Sequence, residues 1–305
     1  MRCRMRETRV AVVTGSSDGL GFALVRHLAT SLGPDSAVYV TGRNVERGEA
    51  AAHRLRRAGH RGARFSRLDV CDGNDVAQFV SDIGKDHGGI NIFISNATAH
   101  FSRDRPQAQD VAQFIGTNNL ALTRLMRETR DLLRPGGRFI TMASSFGRLR
   151  REAAIGHPRL KVFADVFGQN WSFSEDQEAR LSDAALTLDD IDDIMTDYVD
   201  DVRTGVAAQK GWPDWINVPS KAGQIAATRA FARLFNPGDA DGVLVNAVDP
   251  GFTDTPGARG FGLDTRSARN VDESAAIATW AALLPTGTTA PHGELIKDRR
   301  VVPWP

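Results

Sequence analysis

The sequence contains little cysteine, and this scarcity excludes a fold held together by disulfides. Its two cysteines, Cys3 and Cys71, stand in no CxxC or Cys/His spacing, so we expect neither a disulfide framework nor a metal site. The chain also lacks an excess of one charge, since 38 basic and 37 acidic residues leave a formal net charge of +1. This balance gives no electrostatic basis for binding nucleic acid or an anionic membrane surface.

Long apolar runs are absent as well. No segment is long enough to cross a bilayer, and the basic residues 1–6 are not followed by the apolar stretch of a secretory signal. We therefore expect a cytoplasmic protein. At 305 residues, with 41% hydrophobic and 25% charged residues, the chain can form one large globular core.

Short β-branched runs alternate with helical stretches along most of the chain. The runs are mostly apolar without alternation, as expected for parallel strands with helices on both faces. The pattern predicts βαβ units and an α/β fold on a Rossmann-type, doubly wound parallel sheet. The predicted strands are Val10–Val13, Ala37–Thr41, Ala63–Leu68, Ile90–Ile94, Arg138–Met142 and Val243–Val248. The predicted helices are Leu20–Thr30, Val45–Ala58, Asn74–Asp86, Ala108–Leu133 and Ser220–Phe235.

The alternation is interrupted between residues 147 and 216, a stretch too long for a simple crossover. We predict a single domain over residues 1–305, with a helical insertion at 147–216 before the active-site helix. Within the insertion, Leu188–Val206 has apolar residues at helical spacing. Seven aspartates occupy the rest of this helix, which is typical of a solvated face; an acidic docking surface is the alternative.

A glycine-rich turn follows the first strand. Residues 14–21 read Thr-Gly-Ser-Ser-Asp-Gly-Leu-Gly and lead into a predicted helix. Glycines there allow a tight turn and let a pyrophosphate approach the helix N-terminus. The alternative is a purely structural turn. We predict dinucleotide contacts from Gly15, Ser17, Asp18, Gly19, Leu20 and Gly21.

The end of the second strand indicates which dinucleotide is bound. It reads Thr41-Gly42-Arg43-Asn44, without a carboxylate to bind a ribose 2′-hydroxyl. An arginine in this place can pair with a 2′-phosphate. We therefore predict NADP(H) as the cofactor, the alternative being that Arg43 is simply a solvated surface residue.

The glycine turn resembles that of the short-chain dehydrogenases/reductases, and the resemblance extends over nearly the whole chain. It implies an adenine contact from the segment after the third strand and a contact from the motif after the fourth strand. It also implies that a later segment grips the nicotinamide carboxamide. The residues that match these three places are Asp69 and Val70, then Asn96 and Ala97, and then Pro250, Gly251, Thr253 and Thr255.

The same resemblance implies catalytic roles. Asn118 matches the structural and proton-relay asparagine, and Ser145 matches the serine that orients the substrate. The long insertion and the run Gly211-Trp212-Pro213 are similar to the monomeric carbonyl reductases, NADPH-dependent reducers of quinones, aldehydes and ketones. A small-molecule substrate and a monomeric state follow from that likeness.

The active-site helix departs from the family pattern Tyr-x-x-x-Lys, because the sequence reads Asn217-Val-Pro-Ser-Lys221. In the family, the lysine lowers the pKa of the tyrosine and binds the nicotinamide ribose, and the tyrosine donates a proton to the substrate. The two tyrosines of this chain, Tyr39 and Tyr198, are both predicted to lie in the core. Asn217 has no proton to release, but its amide can donate a hydrogen bond to a developing oxyanion, and Ser145 can supply a second donor.

Two functions from different classes remain open. The first is an atypical NADP(H)-dependent oxidoreductase that transfers hydride to or from a quinone, enone or ketone of a bulky, polyketide-like molecule, with protonation from water through Asn118 and Lys221. The second is a non-redox enzyme (cyclase, dehydratase or isomerase) or an NADP-sensing binding protein, and a degenerate, inactive paralogue is a third possibility. The arginine- and alanine-rich composition is typical of a GC-rich genome, and this favours an enzyme of secondary metabolism. The apolar residues expected to line the cleft, or else to pack the insertion onto the domain, are Phe163, Phe167, Trp171, Trp212, Trp215 and Phe252.

Overall fold

The strands of the chain form one sheet in the order β3-β2-β1-β4-β5-β6-β7-β8. The computed structural model describes residues 8–100, 102, 104–149, 168, 170–239, 242–260 and 263–305. Strands β1 to β7 run parallel, and β8 pairs antiparallel with β7. The strands are β1 Val10–Val13, β2 Ala37–Gly42, β3 Ala63–Arg67, β4 Ile90–Ser95, β5 Leu133–Met142, β6 Leu244–Asp249, β7 Leu295–Lys297 and β8 Arg300–Val302.

All six predicted strands are confirmed, and the prediction of a doubly wound, mostly parallel sheet is correct. Strands β7 and β8 were not predicted because each has only three residues, too few to show a pattern. The chain proceeds from β1 outward to β3 and then returns to place β4 on the other side of β1. This order creates a crevice at the carboxyl ends of β1 and β4, the place where ligands bind in open α/β sheets.

Helices cover both faces of the sheet. The helices at residues 19–32, 45–57 and 271–282 pack on one face, and those at 73–87, 107–129 and 217–232 pack on the other. Two separate hydrophobic cores result, one on each face, which explains why the strands show no polar alternation. The helices are Gly19–Leu32, Val45–Arg57, Gly73–His87, Gln107–Ile115, Ala121–Thr129, Glu175–Ser182, Leu188–Thr204, Asn217–Ala232, Pro256–Gly260 and Val271–Ala282.

The prediction of one continuous helix over Ala108–Leu133 is wrong. A π-helical turn at Gly116–Leu120 separates two α-helices, a 3₁₀ turn follows at Arg130–Leu132, and Leu133 already belongs to β5. Periodicity could not show this, because a π turn adds one residue without changing the apolar character of the face. π turns occur frequently at functional sites, and this one carries Asn118.

The inserted helix Leu188–Thr204 confirms the predicted element, with Thr187 and Asp190 forming a reciprocal cap at its start. Its aspartates are not all solvated, however. Asp201 is 5% exposed and accepts hydrogen bonds from Lys210 Nζ at 2.5 Å and Trp212 Nε1 at 3.1 Å. This carboxylate therefore ties the helix to the end of the insertion. The bounds 147–216 stay a prediction, because residues 150–167 and 169 lie outside the described part of the chain.

A buried arginine, Arg138, organises the amino-terminal edge of the sheet. Its guanidinium donates to the backbone carbonyls of five residues from three separate segments of the chain, namely Gly136, Gly137, Gly242, Leu284 and Pro285. The residue is 2% exposed, and burial lowers its pKa from the ordinary value. Because it lies at the edge opposite the crevice, Arg138 is a structural residue. Among the described residues, no helix is both long and apolar enough to pass through a bilayer.

Candidate active site

The loops after β1 and β4 are joined at the crevice by a buried threonine. The Thr14 hydroxyl oxygen accepts hydrogen bonds from the backbone N–H of both Asn96 and Ala97 at 2.9 Å. The Asn96 side chain returns the contact, because its Nδ2 donates to the carbonyls of Thr14 at 2.9 Å and Gly15 at 3.0 Å. Asn96 and Ala97 thus hold the glycine turn in place.

The glycine turn has the geometry that a phosphate loop needs. Gly15 is exposed, has a positive φ of 60°, and would place a Cβ only 2.8 Å from the Cα of Ala97. Only glycine therefore fits this position. Asp18 and Gly19 lead directly into the helix that begins at Gly19, so its free backbone N–H groups face the crevice. Ser17 and Leu20 are half-buried beside them.

Two arginines stand at the end of β2. Arg43 is exposed, and no described residue pairs with it. Arg47, one turn into the following helix, forms an ion pair with Asp18 of the glycine turn. Sequence reasoning did not identify Arg47, although its position four residues after Arg43 on a helix N-terminus was visible. Arg43, Arg47 and Asp18 form the charged corner of the site.

The segment after β3 is fixed by its own backbone. The Asp69 carboxylate accepts from the Cys71 N–H at 3.1 Å, and the Asp69 N–H donates to Asp75 at 3.0 Å. Val70 is 7% exposed and joins the core. The carbonyls of Val70 and Cys71 accept from Arg124 at 3.1 Å, which binds this segment to the neighbouring helix.

The π turn brings two consecutive asparagines against the active-site helix, Asn217–Ala232. Asn118 is 1% exposed, and its Oδ1 accepts from the Ala99 N–H at 2.9 Å and the Thr98 hydroxyl at 3.1 Å. Asn119 Nδ2 donates to the Ser220 carbonyl at 2.8 Å, and Asn119 Oδ1 accepts from the Ser220 hydroxyl at 2.8 Å. The turn therefore fixes the position of the active-site helix relative to β4.

Lys221 lies on this helix with its ammonium group directed to the end of β5. Its Nζ donates to the Met142 carbonyl at 3.2 Å and to Gln224 Oε1 at 2.8 Å. Burial lowers the pKa of Lys221 to about 8, and the Asp249 carboxylate opposes this shift. The amine of Lys221 is therefore mostly protonated at neutral pH, but it loses its proton more readily than an exposed lysine does.

Gln224 lies between Lys221 and Asn118. Its Nε2 donates to the Asn118 carbonyl at 3.0 Å while its Oε1 accepts from Lys221. A neutral amide does not pass protons along this link. Gln224 therefore bridges Lys221 and the Asn118 carbonyl and positions the lysine, and the proton path through Asn118 and Lys221 stays a prediction. Gln224 was not identified from the sequence, although it stands three residues after Lys221 on the same helical face.

Ser145 follows the end of β5 and is bound to an acid that sequence reasoning missed. Asp249, the last residue of β6, is 4% exposed and accepts from both the backbone N–H of Ser145, at 2.9 Å, and its hydroxyl. Its other oxygen accepts from the Gly251 N–H at 2.8 Å. Because the Ser145 hydroxyl donates to Asp249, the expectation that it donates to a substrate oxygen is not supported by this geometry.

The segment after β6 folds toward the glycine turn. Gly251 has a positive φ of 78°, and Pro250 accepts a hydrogen bond from Arg269 at 3.5 Å. Thr253 is buried, and its hydroxyl bonds the Gly251 carbonyl at 3.0 Å and Ser274 at 2.7 Å. Thr255 caps the short helix that begins at Pro256, which lies within van der Waals range of a Cβ built at Gly19. Pro250–Thr255 and the phosphate turn therefore flank the same crevice.

Asn217 is the first residue of the active-site helix and is half-buried. In the described part of the chain, no hydrogen bond engages its side chain. The Ser145–Gly147 turn packs closely on the same helix, because a Cβ at Gly147 would overlap the backbone of Lys221. Asn217 lies one turn before Lys221 on this helix, and its amide has no hydrogen-bond partner among the described residues.

The aromatic residues expected to line a cleft form a packed cluster instead. Trp171, Trp212 and Trp215 are at most 6% exposed. Trp171 and Trp215 pack edge-on against Phe146 and are tilted to each other, with ring centroids 5.1–6.0 Å apart. These contacts favour the packing alternative for the three tryptophans. Phe252 is half-buried, and Phe163 and Phe167 lie outside the described residues.

Tyr198 does not reach the crevice. Its ring lies 4.8 Å from that of Trp212, its side chain is fully buried, and burial raises its pKa. Tyr39 is also buried and bonds His87 at 2.8 Å. Both tyrosines are therefore core residues, as predicted. Among the described residues, no group of three metal-ligating side chains is gathered in one place.

Comparison with known proteins gives relatives over the whole length. The family described as short chain dehydrogenase matches residues 9–157. Carbonyl reductase (NADPH) 3 of Rattus norvegicus is 33% identical over 300 residues, covering 97% of this chain and 99% of the relative. Carbonyl reductase (NADPH) 1 of Sus scrofa is 29% identical over 308 residues, covering 97% and 94%.

Solved structures show the same fold at lower identity. Salutaridine reductase from Papaver somniferum superimposes with a TM-score of 0.74 at 22% identity, covering 95% of this chain and 99% of that one. Menthone neomenthol reductase from Mentha piperita gives 0.71 at 20% identity, covering 95% and 98%. These likenesses establish the architecture, and the chemistry has to be argued from the residues of the site.

Proposed function

The chain belongs to the short-chain dehydrogenase family, and from that premise we propose that it is an NADP(H)-dependent oxidoreductase acting on a carbonyl or hydroxyl group of a small molecule. The observation that carries the proposal is the position of Lys221. This half-buried cation is held between the end of β5 and Gln224, beside the crevice where a dinucleotide binds in such sheets. The carbonyl reductases among the relatives support the same reaction class.

The residues around the crevice fit a 2′-phosphorylated dinucleotide. The backbone of Gly15 is exposed and the helix N-terminus beside it is free, as a pyrophosphate requires. Arg43 offers an uncommitted cation at the place of the ribose 2′-position, with Arg47 next to it. Lys221 would hold the nicotinamide ribose, and Pro250, Gly251, Thr253 and Thr255 would flank the carboxamide. NADP(H), when bound, supplies or accepts the hydride.

The atypical part of the proposal concerns Asn217. We assign it to the place of the family's tyrosine, four residues before Lys221. Its amide can donate a hydrogen bond to the substrate oxygen but cannot transfer a proton, a loss worth about 10²- to 10⁴-fold in rate. Substrates whose oxygen needs no rapid protonation, such as quinones and enones, suit this site better than simple aldehydes.

Calorimetric titration with NADP⁺ and NAD⁺ tests the cofactor, and we expect the phosphorylated form to bind at least tenfold more tightly. Turnover is then followed at the nicotinamide absorbance with quinones, enones, ketones and simple aldehydes. Preference for simple aldehydes would contradict the role given to Asn217. Asn217→Tyr is the matched variant. It should raise the turnover of simple aldehydes if the site is a reductase that lacks only its acid.

A non-redox reaction is distinguished in the same assay. Conversion of a substrate while the nicotinamide absorbance stays constant would assign the chain to the cyclase, dehydratase or isomerase alternative and overturn the hydride proposal. A cytoplasmic location and a monomeric state stay predictions. Light scattering on the purified protein tests the second, with one chain of 33.1 kDa as the expected particle.

A further inference from the structure

The crevice contains a buried carboxylate, Asp249, for which the proposed function has not yet given a role. It ends β6, is 4% exposed, and receives three hydrogen bonds. Two come from Ser145, through its backbone N–H at 2.9 Å and its hydroxyl, and the third from the Gly251 N–H at 2.8 Å. A carboxylate with this many donors and so little solvent has a fixed position.

The charged groups around Asp249 are cations. Lys297 Nζ of β7 lies 3.6 Å from its carboxylate. Lys221 of the active-site helix and Arg269 of the loop before the last helix both interact with it electrostatically. Three cations from three different elements therefore face this one anion. An opposite charge within about 4–6 Å stabilises an ionised carboxylate.

The direction of the Ser145 hydrogen bond follows from this charge. An ionised carboxylate can only accept, so the Ser145 hydroxyl must donate its hydrogen to Asp249. The lone pairs of Ser145 Oγ are then left to accept a hydrogen bond from another group. A carbonyl oxygen has no hydrogen to give, whereas an alcohol has one. The Asn217 amide, which has no partner among the described residues, is the group we assign to donate to the alcohol oxygen.

We propose that Ser145 and Asp249 form a hydroxyl-to-carboxylate relay that accepts the proton of a substrate alcohol, so that the enzyme acts as a dehydrogenase in the oxidative direction. This inference rests on the proposed function and adds to it a substrate class, secondary or primary alcohols, and a base. Asp249 does not touch the substrate. It positions the Ser145 hydroxyl and accepts the proton that Ser145 passes on. Ser145 is the residue that touches the substrate.

The step balances with oxidised nicotinamide as the only co-reactant. The carbinol C–H bond breaks, and its hydrogen leaves with the electron pair as hydride to NADP⁺. The alcohol O–H bond breaks as the C=O bond forms, and that proton passes to Ser145 Oγ. The original hydroxyl proton of Ser145 passes to Asp249, which returns it to water. The alcohol is oxidised by two electrons and NADP⁺ is reduced by two.

The reverse reaction requires a protonated Asp249 before the substrate is reduced. Because the Ser145 hydroxyl donates to the carboxylate, the relay is arranged for oxidation.

Asp249→Asn keeps an oxygen that can accept from Ser145 and removes the proton acceptor. At saturating NADP⁺ we expect it to lower kcat for alcohol oxidation by about 10²-fold or more, with little change in the KM for the alcohol. Ser145→Ala should have a similar effect. The double variant should be no worse than the more damaging single variant, because residues that act as one unit are not additive. Asp298→Asn is the matched control, since it removes an acid that pairs with Arg269 but does not contact Ser145.

A readout without cofactor uses protein labelled with ¹³C at aspartate side-chain carboxyls. The signal that Asp249→Asn removes reports the ionisation of Asp249, and we expect it at the ionised position at neutral pH. A protonated signal, equal oxidation rates in the wild type and Asp249→Asn, or additive effects in the double variant would each overturn the relay while leaving the hydride proposal intact. A wild type that transfers no hydride with any alcohol or carbonyl would overturn the proposed function and the relay with it.

Discussion

Replacing Lys221 by methionine should change how the stability of the cofactor-free protein depends on pH. Burial lowers the pKa of Lys221 from 10.5 to about 8, with Asp249 opposing the shift. The folded protein therefore holds this proton less tightly than the unfolded chain. Between about pH 8 and 10.5 the unfolded state binds more protons, so the free energy of unfolding contributed by this group rises with pH.

The magnitude follows from the size of the shift. A difference of about 2.5 pKa units corresponds to about 3 kcal/mol over the whole window, most of it gained between pH 7 and pH 10. Lys221→Met abolishes this gain. It also leaves the Met142 carbonyl and Gln224 Oε1 without their donor, at about 1–3 kcal/mol each, but that cost is constant with pH.

The assay is urea unfolding followed by circular dichroism at pH 7, 8, 9 and 10, without nucleotide, for the wild type and Lys221→Met. The difference in unfolding free energy between the two proteins should shift in favour of the wild type by about 2–3 kcal/mol from pH 7 to pH 10. Lys85→Met, at an exposed lysine, is the control and should show a constant difference. If the unfolding free energies of the wild type and Lys221→Met changed in parallel with pH, the lowered pKa of Lys221 would be refuted.

Four further predictions concern other parts of the chain. Arg43→Ala should weaken NADP⁺ binding at least tenfold and leave NAD⁺ binding nearly unchanged in calorimetry, whereas Asp18→Asn, which frees Arg47, should strengthen NADP⁺ binding by about two- to fivefold. Tyr198→Phe should leave turnover unchanged and raise the melting temperature, because the buried hydroxyl has no partner among the described residues; a loss of turnover would show that Tyr198 is catalytic. Arg138→Met should lower the unfolding free energy by about 3–5 kcal/mol in urea titrations, since five carbonyls lose a buried donor, and an unchanged midpoint would contradict that structural role.

Most of the fold could be predicted because its signal is local. The strands β1, β2, β4, β5 and β6 contain apolar runs long enough to stand out, and the glycine turn marks the first βαβ unit; the edge strand β3 is more polar, and its place after a predicted helix indicated it. The π turn at Gly116–Leu120 could not be predicted, since the residues on either side keep a helical pattern. The antiparallel β8 was equally hidden, because the turn between Lys297 and Arg300 fixes it through backbone geometry rather than side-chain periodicity.

Some residues of the candidate site could likewise be predicted from the sequence, and others could not. Gly15 could be found from the spacing of the glycine turn, and Asn96 and Lys221 from their resemblance to the motifs of the family. Asp249 and Gln224 could not, because their roles depend on which strand ends and helix turns meet in space. An acid that ends a buried strand next to Pro-Gly was the one visible sign of Asp249. A buried acid placed there needs donors, and Ser145 at the end of the neighbouring strand β5 provides two of them.

Asp249 could affect turnover in two ways, by accepting a proton or by sustaining the charge of Lys221. Because the two groups interact electrostatically, the pH dependence of Asp249→Asn can distinguish these roles. The Asp249 carboxylate raises the pKa of Lys221 against the larger effect of burial, so Asp249→Asn should lower that pKa below about 8. The variant would then lose the charge of Lys221 near neutral pH and bind NADP⁺ more weakly there. At pH 6 the lysine is charged again, and binding should return to that of the wild type. Slow alcohol oxidation that persists at pH 6 with normal NADP⁺ binding would therefore belong to the missing proton acceptor, whereas full recovery of turnover would mean that Asp249 acts only by sustaining the charge of Lys221.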